Sequence, residues 1–160
     1  MTLSYDIDNW SFYGNFAAQQ ELGKNIVSSQ FNFSPDDLAF IATNAIHTDH
    51  DQTYTSSAGI KYKVPTWNTL FSADLTAGSG LRTKSLGGSP NGAALPGYQQ
   101  VNLSIVQPID TGIYKGLEFR FDIINLLDQI YQIRSGAGLG VFAPQFGPRR
   151  TFLAGLTQRF

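Results

Sequence analysis

Apolar and polar side chains alternate with a period of two in at least six stretches of the chain. Trp10, Phe12, Gly14, Phe16 and Ala18 share one register, and Ser11, Tyr13, Asn15, Ala17 and Gln19 share the other. Tyr54, Ser56, Ala58, Ile60, Tyr62 and Val64 oppose Thr53, Thr55, Ser57, Gly59, Lys61 and Lys63. Phe71, Ala73, Leu75 and Ala77 oppose Ser72, Asp74 and Thr76, and Val101, Leu103 and Ile105 oppose Gln100, Asn102 and Ser104. Leu117, Phe119, Phe121 and Ile123 oppose Glu118, Arg120 and Asp122. At the end of the chain, Phe152, Ala154, Leu156 and Phe160 oppose Leu153, Gly155, Thr157 and Arg159. Alternation this long predicts β-strands with one apolar and one polar face. A short strand around Leu3 and Tyr5 precedes them. Asn25–Phe33 is a weaker candidate, so the expected count is seven or eight.

The connections alternate between short and long. Asp6-Ile7-Asp8-Asn9, Val64-Pro65-Thr66-Trp67 and Pro108-Ile109-Asp110-Thr111-Gly112 carry turn residues and are short. The others run roughly over residues 20–51, 79–96 and 127–148 and are long. Within the first of them, Ser34-Pro35-Asp36-Asp37 predicts a short helix over residues 35–43. Ser34 caps it, Pro35 takes its first position, and two acids face the positive end of its dipole. Tight turns at one end and long loops at the other are the habit of transmembrane β-barrels.

Composition sharpens that picture. Charged residues make up 14% of the 160, against about 25% in ordinary soluble domains, yet mean hydropathy is only −0.13. Phe, Tyr and Trp number 12, 7 and 2. A net charge of −1 argues against a nucleic-acid binder, and abundant aromatics argue against disorder. The lack of cysteine excludes a disulfide scaffold, a thiolate nucleophile and Cys-ligated metal. No apolar run approaches the roughly 20 residues of a membrane helix, and residues 1–6 do not read as a signal peptide. Every charged residue in the alternating stretches sits on the polar register, apart from Arg150 at a strand entrance. A charge facing lipid at midplane costs about 2–4 kcal/mol, whereas a lumenal charge stays hydrated. Trp10, Tyr62, Trp67, Tyr114 and Phe160 gather near the short turns or the chain end, as rings do at a headgroup boundary. A soluble β-sandwich carries the same alternation, and would bury Phe119, Phe121 and Phe152 in one core. A stand-alone eight-strand barrel with a structural or adhesive role is a further alternative.

Asn125-Leu126-Leu127-Asp128-Gln129-Ile130-Tyr131 resembles the Asn-Leu-Phe-Asp-x-x-Tyr signature near the end of TonB-dependent outer-membrane receptors. Residues 143–150 and the closing Phe152–Phe160 are similar to that family's last loop and strand. Phe71–Leu75, Gly78–Arg82, Pro90-Asn91-Gly92 and His47–Gln52 also resemble it. The resemblance implies an all-β, antiparallel, up-and-down barrel of about 22 strands, of which this chain supplies about a third as one region over residues 1–160. It implies uptake of a scarce solute, such as a ferric siderophore, across the bacterial outer membrane, with no catalysis and no cofactor. Nothing in the chain resembles the plug or the segment that contacts TonB, so TonB is reached only through a plug outside it. The chain then reads as a fragment or truncated gene product. The implied partners are outer-membrane lipid, the barrel assembly machinery and the remainder of barrel and plug. Short turns face the periplasm. Gly155 and Phe160 match the C-terminal assembly signal, while Gln158 stands where an apolar or aromatic residue is usual.

Candidate chemistry is sparse. Arg82, Arg120, Arg134 and Arg149 are the candidate ligand contacts on lumen or loops. Arg149-Arg150 either grips an anion or anchors the loop to nearby acids. Glu118, Arg120 and Asp122 read as a ladder of hydrated lumenal charge rather than an acid–base pair. His47-x-Asp49-His50-Asp51 is an incomplete metal motif and reads as a polar loop. Gly136–Gly140 has no following helix and reads as an external loop.

Overall fold

A computed structural model describes residues 1–26, 34–83, 86–111, 114–136 and 143–159. The alternating stretches are strands β1 (Thr2–Ile7), β2 (Trp10–Ala18), β5 (Tyr54–Lys63), β6 (Leu70–Gly78), β7 (Tyr98–Thr111), β8 (Tyr114–Ile124) and β11 (Thr151–Gln158). Between them stand β3 (Leu22–Lys24), helix α1 (Pro35–Thr43), β4 (Ala45–His47), β9 (Gln132–Arg134) and β10 (Gln145–Phe146). The fold is all-β with one short helix. Seven strands form one antiparallel sheet in the order β1-β2-β5-β6-β7-β8-β11.

Across the middle of the sheet the six pairings keep one register, and the β7–β8 pairing shifts only between Ile109 and Thr111. Tyr5 lies opposite Phe12, Phe12 opposite Ile60, Ile60 opposite Ala73, and Ala73 opposite Leu103. Leu103 lies opposite Ile123, and Ile123 opposite Phe152. Because side chains alternate across a strand, every apolar register ends on the same face. At the turn-side end of β8 a bulge at Lys115 and Gly116, the latter with φ 76°, shifts the pairing with β7.

The sheet is open among the described residues. β1 pairs only with β2, and β11 only with β8. An antiparallel meander of seven strands leaves its first and last strands running in the same direction. An antiparallel ladder between them is therefore geometrically excluded. Of the weaker strand candidate over residues 25–33, only Asn25 and Ile26 are described, and neither is in a strand. Asn25 takes a left-handed φ of 55° outside any strand, and residues 27–33 lie outside the described residues.

Two elements differ from expectation. β7 runs on through Pro108 to Thr111, where a turn was expected. Beyond Val106 it has β8 as its one partner, and proline is tolerated on a strand with an open edge. The long connections also carry small hairpins, β3 with β4 and β9 with β10. These have two or three residues per strand, too few to show a period. The helix matches expectation: Ser34 and Asp37 form a reciprocal capping box, with Pro35 in the first turn.

Buried hydrophobic residues among those described are Ile41, Ile46 and Leu95, all in the long connections. The sheet itself has no covered core. Phe152 is 60% and Leu156 70% exposed, and Leu3, Phe12, Phe16 and Phe71 are exposed too. The common core of Phe119, Phe121 and Phe152 that a sandwich requires is absent among the described residues.

On the opposite face, glycine makes room for tyrosine. A Cβ at Gly59 would fall on the Tyr13 ring, which crosses that position to reach Asp74. Tyr13 Oη donates to Asp74 Oδ1 at 2.6 Å. We expect Gly59→Ala to displace the ring and destabilise the fold by about 1–3 kcal/mol. Gly14→Ala, with open space at its Cβ, should change stability by less than about 0.5 kcal/mol. Urea midpoints of the two variants check the contrast.

Candidate functional site

The sheet presents two surfaces of opposite chemistry. The apolar one carries aromatic pairs near both ends of its strands. Near the short turns, Trp10 and Tyr62 lie 4.3 Å apart, ring to ring, with Trp67 exposed in the next turn. Near the long loops, Phe16 stacks on Tyr54 at 6.0 Å. Tyr54 and Tyr62 bound eight residue steps of β5, about 27 Å along a strand. At a barrel tilt of about 40° that span is about 20 Å. The Tyr114 side chain and Phe160, also expected in this group, lie outside what is described.

The polar surface is crossed by residues in register. Tyr13, Gly59, Asp74 and Asn102 lie opposite one another across β2, β5, β6 and β7. The adjacent row is Asn15, Ser57, Thr76 and Gln100. Asn15 Nδ2 donates to Ser57 Oγ at 3.1 Å, and Gln100 Nε2 to Asn102 Oδ1 at 2.8 Å. Tyr131 Oη donates to Gln100 Oε1 at 2.7 Å, and its ring stacks on Tyr98 at 4.7 Å. Glu118, Arg120 and Asp122 share this face as expected. Arg120 Nε donates to both Asp122 oxygens, at 3.0 and 2.7 Å.

The stretch from Asn125 to Tyr131 works as a clamp. Asn125 is fully buried with φ 52°, a left-handed geometry that Asn tolerates. Its Nδ2 donates to the carbonyls of Gln129 at 2.9 Å and Pro148 at 2.8 Å, and its Oδ1 accepts from Gln129 N–H at 3.1 Å. Asp128 accepts from Arg149 Nε at 2.8 Å and Nη2 at 2.6 Å, and from Arg150 N–H at 2.9 Å. The Arg149 guanidinium, followed by that backbone N–H, holds the Asp128 carboxyl well below the usual carboxylate range. Arg149-Arg150 thus anchors the last loop to an acid. Desolvation, then the charge interaction with Tyr98, raises the Tyr131 hydroxyl above its ordinary value.

A second network knits the other long connections together. Asp51 is fully buried and accepts from Glu21 N–H and Arg82 Nε, both at 2.9 Å. His47 Nδ1 lies 2.6 Å from Oδ2, the oxygen that Arg82 also reaches. Asn91 Nδ2 donates to the His47 carbonyl at 3.1 Å. The His47–Asp51 motif is therefore a structural tie. No group of three or more ligating His, Cys, Asp or Glu side chains occurs among the described residues. Arg134 pairs with Asp49 at 3.8 Å and contacts His50. The four candidate arginines do not converge. Arg120 stands on the polar face, whereas Arg82, Arg134 and Arg149 tie loops, each to a different carboxylate. Asp51 as the centre of a network was not legible, because its partners Glu21 and Arg82 are 30 and 31 residues away.

At the chain end, Gly155 lies on the polar register of β11 with open space around it. Gln158 falls on the apolar register. Its Nε2 is satisfied by the carbonyls of Lys115 at 2.6 Å and Arg159 at 3.0 Å, so an amide is tolerated there. Phe160 lies outside the described residues. No family model, curated protein or solved structure matches the chain.

Two expectations follow. Asn125→Ala should cost about 3 kcal/mol, since it strands buried partners and puts alanine at positive φ. Asn125→Gly, which removes the backbone strain, should cost less, as unfolding midpoints would show. Burial pushes the Asp51 carboxyl up, but Glu21 N–H, Arg82 and His47 outweigh it and hold the value below the ordinary 3.8. Its stabilisation is present above that value and lost as pH falls through the lowered one. Hydrogen exchange over residues 45–52, corrected for intrinsic rates, should accelerate on acidification below about pH 4. Asp51→Asn should remove that dependence.

Proposed function

We propose that this chain forms part of the wall of a bacterial outer-membrane β-barrel of the TonB-dependent receptor type, which takes up a scarce solute. The observation that carries the reading is an apolar face continuous over seven registered strands and uncovered among the described residues. Water is a costly neighbour for that surface, at about 25 cal/mol per Å² of apolar area, whereas acyl chains are a matched one. The two aromatic bands support it, because their spacing is close to the roughly 25 Å apolar height of outer-membrane barrels. Beside these, the clamp from Asn125 to Tyr131 gives the motif shared with those receptors a structural reason.

In this reading lipid covers the apolar face, and further strands complete the edges at β1 and β11. An odd number of additional strands closes the sheet with antiparallel pairs only. That parity favours a larger barrel over a stand-alone one of these seven strands. The assembly machinery reads the terminal strand with Gly155 and Phe160. TonB acts through a plug outside this chain. The wall itself orients and admits solute, and catalyses nothing.

Leu75 and Thr76 are neighbours near the middle of β6 on opposite faces. In lipid vesicles, Leu75→Arg should cost about 2–4 kcal/mol and Thr76→Arg less than about 1 kcal/mol. Urea unfolding followed by Trp10 and Trp67 fluorescence measures both. Equal costs would rule out a lipid-facing Leu75.

A further inference from the structure

One dipeptide in the long connection between β6 and β7 carries reactive chemistry that its surroundings hold in check. Asparagine is followed by glycine once in the 160 residues, at Asn91-Gly92. Elsewhere the next residue has a side chain that hinders its backbone nitrogen, as at Asn44-Ala45, Asn68-Thr69 and Asn102-Leu103. The structure gives the reason for the pair. Asn91 takes φ 53°, a left-handed geometry that asparagine tolerates. A Cβ at position 92 would lie 2.9 Å from the backbone oxygens of both Leu86 and Ser89, so this close approach demands glycine.

Three features restrain the pair. Asn91 Nδ2 donates to the His47 carbonyl at 3.1 Å. Gly92 N–H donates to the Ser89 carbonyl at 3.2 Å, and the same carbonyl accepts from Leu86 N–H at 3.1 Å. Asn91 is 3% exposed, which keeps water and base away from its amide. The connection is tied to residues 45–52 a second time, through Arg82 on Asp51. Both ties belong to one small hairpin, in which Arg82 bridges Ala94 and Thr83 N–H donates to the Ala93 carbonyl at 2.9 Å. Breaking the two ties lifts that hairpin from residues 45–52 and uncovers Asn91.

We propose that Asn91 is a site of self-modification, gated by the lifting of this hairpin. In the uncovered pair the Gly92 nitrogen gives up its proton and attacks Asn91 Cγ. The Cγ–Nδ2 bond breaks, ammonia leaves with a proton, and a cyclic imide forms. Water then opens the imide. Cleavage at Cγ gives aspartate, and cleavage at the backbone carbonyl carbon gives isoaspartate, whose main chain runs through Cβ. Water is consumed and ammonia released, with no oxidation or reduction. Neither product restores the tie. A carboxylate has no N–H for the His47 carbonyl and repels its oxygen, and isoaspartate adds a methylene to the main chain. An opening that was reversible thereby becomes permanent.

The test follows the full chain in detergent micelles, aged in mildly alkaline buffer. Peptide mass and chromatography separate asparagine, aspartate and isoaspartate at position 91. With the chain unfolded in urea, Asn91 should convert faster than every other asparagine. In the folded chain it should convert at least about tenfold more slowly, because modification through an opened form tracks the population of that form. Arg82→Gln, which weakens the tie to Asp51, should raise the folded rate about three- to tenfold. Conversion of Asn44, which is exposed at the end of α1, should not change in that variant. Asn91→Asp supplies one product directly, and hydrogen exchange over residues 45–52 should accelerate in it while β5 to β8 stay protected. The proposal is overturned if Asn91 converts equally fast folded and unfolded, if Arg82→Gln leaves the rate unchanged, or if Asn91→Asp exchanges over residues 45–52 as the parent does. None of these readouts depends on lipid, so their failure leaves the barrel wall standing.

Discussion

A seven-stranded sheet keeps one chemistry per face only while no pairing slips by a single residue. Side chains alternate with a period of two, so a slip at any of the six pairings would turn all strands beyond it inside out. Here the apolar register passes from Tyr5 to Phe152 without interruption. The tight turns help to hold it, with left-handed Asp8 and Asn68 at two of them. On the polar side, Tyr13 reaches over Gly59 to Asp74 and fastens three strands at one level.

The consequence is a sheet without the usual interior. Ordinary domains bury their apolar faces against a second layer. In this chain the buried hydrophobic residues sit among the long connections, while the sheet's own Phe and Leu side chains stay uncovered. On the proposed reading, a bilayer is the matching solvent for that face and accounts for the low charge, the aromatic bands and the segregation of ion pairs at once. The open edges fit the same account, since a barrel wall is completed by strands rather than by a core.

The long connections are organised by buried polar anchors rather than by grease. Asp51 gathers Glu21, His47 and Arg82, while Asn125 and Asp128 hold the last loop through Pro148 and Arg149. Each anchor is a carboxylate or amide whose lone pairs and N–H groups are met by partners, as burial demands. Arginines committed to such anchors are withdrawn from ligand chemistry. The polar face of the sheet keeps amides, hydroxyls and tyrosine rings together with Lys61, Lys63, Asp74 and Glu118.

Strand identity, facing and the helix cap were readable from local order, because a period of two and a Ser-Pro-Asp-Asp start are written within a few residues. From Trp10–Ala18 to Phe152–Leu156 the registers lie where alternation puts them. The hairpins β3–β4 and β9–β10 and the run of β7 through Pro108 were not legible. Two- and three-residue strands carry no period, and a proline's place depends on which neighbour ends first. Nor did the sequence show that Asn15, Ser57, Thr76 and Gln100 stand in one row, that Tyr13 lies over Gly59, or that the arginines are already paired. Those relations join residues tens of positions apart. They exist only once the strands have chosen their register, which is a property of the whole sheet rather than of any segment.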